Sequence, residues 1–103
     1  MNMARSEFRY NKKRKHYSYI FKDVGSKRKN VVFTTKPCRK EHNKIKNNVS
    51  LFKHPNSNSN KRVYVVPIVY FDEESSFDSK KLNWNFHPND KRKIKRIKKH
   101  HKV

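Results

Sequence analysis

The stretch HYSYIFKDVGSKRKNVVFTTKP, residues 16–37, decides the fold. Tyr17, Tyr19 and Phe21 alternate with Ser18 and Ile20, so one side of residues 16–22 is aromatic throughout. A period of two in aromatic and β-branched residues is the pattern of a strand. Residues 31–36 (VVFTTK) form a return strand, and Pro37 stops it because proline cannot donate to a ladder. Between the two lies Gly25, the only glycine in the chain. A lone glycine is expected where φ must be positive, so residues 23–30 read as the turn of a hairpin.

Working outward, residues 62–71 (RVYVVPIVYF) are almost all β-branched or aromatic, as in a strand buried on both faces. Pro67 in their middle predicts a bulge, a bend or an edge. Leu82, Trp84 and Phe86 alternate with Asn83, Asn85 and His87, which predicts a further strand. A helix is expected over residues 90–101, capped by Asn89 or Asp90 and docked by Ile94 and Ile97, with the rest almost wholly Lys, Arg and His. Residues 38–48 (CRKEHNKIKNN) read as a basic connector with room for one helical turn. Residues 49–52 are a short apolar patch, and residues 54–60 (HPNSNSN) are loop by composition. Residues 1–15 read as a flexible basic arm, and residues 16–103 as a single small domain. The expected class is α+β: a small curved antiparallel sheet of about four strands with a C-terminal basic helix and a flexible N-terminal arm.

The 103 residues include 28 Lys+Arg against 8 Asp+Glu, a net charge of +20. This length admits one small domain and excludes a large multi-domain enzyme. Leu, Ile, Val and Phe total 23, just above the level at which a charged chain stays disordered. Residues 62–87 carry three basic and four acidic residues, whereas residues 88–103 carry eight and one. The near-neutral stretch is also the most apolar, so it reads as the heart of the fold. The longest nearly unbroken apolar run, residues 63–71, covers nine residues, where about twenty are needed to span a membrane. The N-terminus has no apolar stretch behind its charges, so no secretory leader is expected. The single Cys38 fits a reducing cytoplasm.

So large a positive excess points to a phosphate polymer, because neutralised phosphates release their condensed counterions. RNA or another nucleic acid is therefore the expected partner, and an acidic protein inhibitor fits the same charge. The candidate phosphate contacts fall in four clusters. They are Lys12, Lys13, Arg14 and Lys15 in the arm; Lys27, Arg28 and Lys29 in the hairpin; Arg39 and Lys40 in the connector; and Lys91, Arg92, Lys95, Arg96 and Lys99 on the helix. Tyr17, Tyr19 and Tyr64 interleave with the charge and could stack bases, whereas Phe21, Phe33, Phe71 and Trp84 read as core. No metal or cofactor is expected: Cys38, His42, His54 and His87 lack metal-ligand spacing, and there is no glycine-rich phosphate loop. Asp72, Glu73, Glu74 and Asp78 read as balancing the positive field at a solvated turn.

Metal-free RNA cleavage needs a base, an acid and a positive group beside the phosphorus, the nucleophile being the RNA's own 2′-hydroxyl. The candidates are His54, Tyr64, Arg62, Lys36 and Thr35, with Thr34 and His16 beside them. Thr35, Lys36, Arg62 and Tyr64 share one region if the first hairpin pairs with residues 62–71.

Residues 16–37, LFKHPN at residues 51–56, RVYVVPIVYF at residues 62–71 and the basic helix resemble small phage- and mobile-element-borne proteins of low-GC bacteria. Those are similar to the barnase/EndoU/colicin/RelE-like group of metal-independent ribonucleases. The pattern Leu–x–Lys–x–Pro at Leu51, Lys53 and Pro55, followed by a Tyr-bearing strand, carries the resemblance. It implies a compact antiparallel sheet with helical flanks and toxin-like endoribonuclease activity, and it assigns no catalytic residue. The expected function is RNA binding, with such cleavage as its elaboration. The alternatives are a non-catalytic nucleic-acid-binding or assembly protein, and an interaction module for an acidic partner.

Overall fold

A computed structural model describes residues 2–100. The described elements are β1 (Asn2–Asn11), β2 (His16–Val24), β3 (Lys27–Thr34), β4 (Cys38–Glu41), β5 (Lys44–Asn47), β6 (Val49–Ser50), β7 (Tyr64–Val65), β8 (Tyr70–Glu73), a 3₁₀ turn (Glu74–Ser76) and α1 (Pro88–His100). The class is α+β, with one C-terminal helix on an open antiparallel sheet. That sheet has six strands rather than about four, in the order β1-β2-β3-β7-β6, with β8 also pairing β3. No helix among the described residues is long and apolar enough to cross a membrane.

The central hairpin forms where expected, but its turn is only Gly25 and Ser26, because residues 23–24 and 27–30, read as turn, join the ladder, and β3 ends at Thr34 rather than Lys36. β2 and β3 pair antiparallel from Ser18↔Val32 to Val24↔Lys27, and Gly25 takes φ 59° in the turn. A register shift between Ile20 and Lys22 leaves Phe21 as an extra residue. A matching shift between Ala4 and Glu7 in β1 makes the sheet coil at this level.

Residues 1–15 are not a flexible arm over their described length. Asn2–Asn11 is a strand paired along β2, with Phe8 opposite Tyr19 in the core. The stretch alternates Phe8 and Tyr10 with Glu7, Arg9 and Asn11, and the polar side is buried too. Sparse apolar content hides the strand because ion pairs, not hydrophobic contacts, satisfy its second face.

The continuous strand expected over residues 62–71 is split at Pro67. Tyr64 and Val65 lie opposite Thr34 and Phe33, and Tyr70–Glu73 lie opposite Asn30–Lys27, so both halves pair with β3. Val31 and Val32 of β3 therefore face four residues, 66–69, which bow outward. The Ile68 N–H donates to the Val66 carbonyl at 2.8 Å, a three-residue turn centred on Pro67. Proline supplies the required φ and has no N–H to lose.

Three further expectations change. Residues 82–86 form no strand; only Leu82 bridges to Phe8, although Phe86 is buried and Leu82 and Trp84 are half-buried against the core. The connector is a hairpin, β4–β5, whose turn residues His42 and Asn43 both take left-handed φ (51° and 64°), as a two-residue type I′ turn demands. The helix begins at Pro88, two residues earlier than read, and His101 lies outside the described residues. Proline suits a first helical turn, where its missing N–H has no partner anyway. Nor does Asp90 cap its own helix: its carboxylate accepts the N–H groups of Phe52 and Lys53.

The two sheet faces differ in chemistry. One packs Phe8, Tyr19, Phe33 and Phe86 into an aromatic core, with ring centroids 4.8–6.0 Å apart, and Ile94 and Ile97 of α1 cover it. The other holds charge. Arg9 and Arg28 reach Glu74, Arg5 reaches Asp23 and Glu7, and Arg14 grips Asp72 with two hydrogen bonds. Asp72 is fully buried, and burial works against its charge. Hydrogen bonds from Arg14, Asn11 and Asn30 outweigh that and hold its pKa below the ordinary value. The acidic turn is thus no merely solvated feature: Asp72 anchors it inside the sheet, Glu74 bonds arginine, and Glu73 pairs Lys27.

Candidate nucleic-acid interface

The division of labour between arginine and lysine is the first fact about the site. Of eight arginines, five (Arg5, Arg9, Arg14, Arg28 and Arg39) bond carboxylates. A rigid guanidinium fork suits fixed carboxylates, whereas an ammonium group on a flexible stem stays hydrated. Most lysines accordingly face outward, and among the described residues only Lys13, Lys27, Lys81 and Lys93 pair with an acid. The internal ion pairs therefore leave surplus lysine without a carboxylate partner among the described residues.

Part of that surplus converges on a cleft of about 810 Å³ between the end of β3, the start of β4, residues 54–61 and Trp84. Lys15, Lys36, Arg39, Lys40 and Lys61 line it, and no carboxylate does. A second cleft of about 550 Å³ adjoins it, sharing His54, Ser59, Lys61 and Val63. Lys53, Arg62 and Lys93 line this second cleft, again with no carboxylate. The two clefts adjoin along His54, Ser59, Lys61 and Val63 and are together called the groove.

Aromatic rings run along the main cleft. Tyr10 meets Tyr17 edge-on at 5.2 Å, Tyr17 meets Trp84 at 4.9 Å, and Trp84 meets His54 at 5.3 Å. Tyr17 is 46% exposed, while Trp84 also touches Phe8 and Phe33 and so belongs to core and cleft alike. The rim is fixed by buried Asn48. It donates to the Lys36 carbonyl at 3.0 Å and accepts from Arg39 at 3.0 Å, which holds the end of β3 against the β4–β5 hairpin.

The neutral ring of His54 has a defined tautomer. The Asn56 N–H donates to its Nδ1 at 3.0 Å, so the neutral ring carries its proton on Nε2. Burial, with Lys61 nearby, lowers its pKa below the ordinary histidine value. In this arrangement Nε2 is a hydrogen-bond donor, suited to a phosphate oxygen.

Of the residues proposed for RNA cleavage, Thr35, Lys36 and His54 share the main cleft. Arg62 lines the adjoining one. Tyr64 lines neither; it is half-buried in β7 between Thr34 and Ser50. Among the proposed phosphate contacts, Lys15, Arg39 and Lys40 line the cleft. Lys13 and Arg14 are engaged by Asp72, Lys27 by Glu73, and Arg28 by Asp23 and Glu74. Lys29 is buried over the Phe71 ring, and burial, with Lys22 nearby, lowers its pKa. Lys12 is exposed at the β1–β2 turn, and Lys91, Arg92, Lys95, Arg96 and Lys99 are exposed on α1. The groove also uses Lys53, Lys61, Lys93 and Trp84, which sequence reading did not assign to it, beside Tyr17, which was expected to stack bases. A lysine inside a polar loop carries no local mark of what the loop will face.

No protein family, curated protein or solved structure matches this chain.

Proposed function

We propose that the protein binds a single strand of RNA along this groove, phosphates against the lysines and bases against the rings. The observation that carries the reading is the pairing of a carboxylate-free, cation-lined groove with the row Tyr10, Tyr17, Trp84 and His54. Cations that track a backbone beside rings that take unstacked bases are what single-strand binding requires. Duplex recognition alone would have no use for the rings, because duplex bases hide their faces.

Trp84 is the only tryptophan in the chain, so its emission reports the site directly. Titration with single-stranded RNA in EDTA, at two salt concentrations, is expected to quench that emission with a steeply salt-dependent affinity. The same titration with DNA measures the preference between the two. Unquenched emission at low salt would remove the proposal.

Cleavage by the RNA's own 2′-hydroxyl is a second reading, because Thr35, Lys36 and His54 line the same cleft. It is the lesser one: His54 Nδ1 is occupied by the Asn56 N–H, which leaves Nε2 a donor and not a base. Incubation in EDTA that yields 2′,3′-cyclic phosphate ends, and loses them in His54→Ala, would promote it.

A further inference from the structure

The outward face of α1 carries Lys91, Arg92, Lys95, Arg96 and Lys99, all exposed, and none has a carboxylate partner among the described residues. Their spacing keeps them on one side of the helix, opposite buried Asp90, Ile94 and Ile97. They form a straight rail about 12 Å long at 1.5 Å per residue. This rail contains no ring. The groove mixes cations with rings, so the two surfaces suit different ligands. Cations alone contact phosphates, which a duplex presents along its whole length, whereas rings need bases that are out of the stack.

The two surfaces are rigidly joined. Lys93 of α1 lines the Lys53–Arg62 end of the groove, and the Asp90 carboxylate holds the Phe52 and Lys53 N–H groups. Phe52 lines that end of the groove and is 65% exposed, its ring 4.7 Å from that of His87. An exposed ring between a single-strand groove and a phosphate rail sits where the terminal base pair of a duplex would present its face.

We infer that the preferred ligand is a junction between a single strand and a duplex. The strand lies in the groove, the last base pair stacks on Phe52, and the duplex backbone runs along α1. This rests on the reading of the groove as a single-strand site.

The test compares three RNA probes by fluorescence anisotropy: a short single strand, a blunt duplex, and that duplex carrying the same strand as an overhang at either end. The intact chain should bind one overhang probe about a hundredfold tighter than the single strand, through linkage of two sites. The variant Arg92→Glu/Lys95→Glu/Lys99→Glu, all at exposed positions, should bring the overhang probe down to the single strand's affinity. It should change the single strand itself by no more than about threefold. Phe52→Ala, which leaves the charges intact, should lose about ten times more on the overhang probe than on the single strand. Overhang probes that bind no tighter than the single strand would overturn the inference, and so would a helix variant that weakens every probe equally. A single strand that neither binds nor quenches Trp84 overturns the groove reading instead, which keeps the two failures apart.

Discussion

The carboxylate of Asp90, on the first turn of α1, accepts the backbone N–H of Phe52 at 2.7 Å with one oxygen. Its other oxygen accepts the Lys53 N–H at 3.1 Å. One buried side chain thus ties the helix to the loop that leads into the groove. Asp90→Ala would leave two N–H groups without an acceptor and should cost about 2–4 kcal/mol of stability. Chemical denaturation measures this. Loss below about 0.5 kcal/mol would mean that the helix docks through Ile94 and Ile97 alone.

The arginine–lysine division separates stability from binding. Lys36→Ala, Lys40→Ala and Lys61→Ala should each weaken RNA binding and reduce the slope of log affinity against log salt by about 0.7. Arg14→Ala and Arg28→Ala should lower the melting temperature and leave that slope unchanged. If the arginine variants flatten the slope as much as the lysine ones, the ligand uses the opposite sheet face.

Trp84 serves core and cleft together, so its two roles need different substitutions. Trp84→Phe keeps a ring against Phe8 and Phe33 and should fold, losing up to about 1 kcal/mol of RNA affinity. Trp84→Ala should lose about 1–3 kcal/mol of binding, the value of one stacked base, besides core stability. Anisotropy reads the first loss and thermal melting the second.

Acid should unfold the protein through its carboxylates. Asp72 and Glu7 both have folded pKa values below the ordinary ones: burial opposes this in each, and hydrogen bonds and ion pairs from Arg14 and from Lys81 and Arg5 overcome it. As pH falls, the unfolded chain takes up protons first. Their stabilisation is therefore fully present above about pH 4 and is lost as pH drops further, through the folded values. Asp72→Asn should cost about 2–4 kcal/mol at neutral pH, and the gap to the unaltered protein should shrink toward pH 3. A gap that stays constant across a pH series of melting curves would rule out the charge as the cause.

His54 titrates in the opposite sense on binding. Free, its pKa lies below the ordinary value of 6.5, because it is buried and near Lys61. A phosphate at Nε2 favours the protonated ring and raises that pKa, the second proton entering at Nδ1 in place of the Asn56 N–H. RNA affinity should therefore climb as pH falls through the bound ring's pKa and level off below the free ring's, and this climb should vanish in His54→Asn. An NMR titration of the ring with and without RNA checks the shift itself.

How much of this was legible in the sequence differs by element. Gly25 between two alternating runs made the β2–β3 hairpin readable, because each part of that signal is local. β1 was not, since its second face is charged, and only partners such as the Glu74 carboxylate and the Asp78 carbonyl, far along the chain, make burying Arg9 favourable. The β4–β5 hairpin hid behind His42 and Asn43, residues that take left-handed φ readily without announcing a turn as glycine does. Of the four residues expected to share one region, Thr35 and Lys36 line the main cleft, Arg62 lines the adjoining one and Tyr64 neither, while composition does not distinguish Arg14 and Arg28 from the groove cations Lys15, Arg39 and Lys40.

The amino-acid sequence alone determined the α+β class, the position of the central hairpin and the helix, and the break at Pro67, because periodicity, proline and glycine act on their immediate neighbours. Tertiary structure decided which cations are free. Every lysine and arginine looks alike in the chain, and only folding brings carboxylates distant in sequence against the arginines of one sheet face. That occupies those arginines and leaves Lys15, Lys36, Lys40 and Lys61, which have no carboxylate partner among the described residues, beside Tyr17 and Trp84 in the groove.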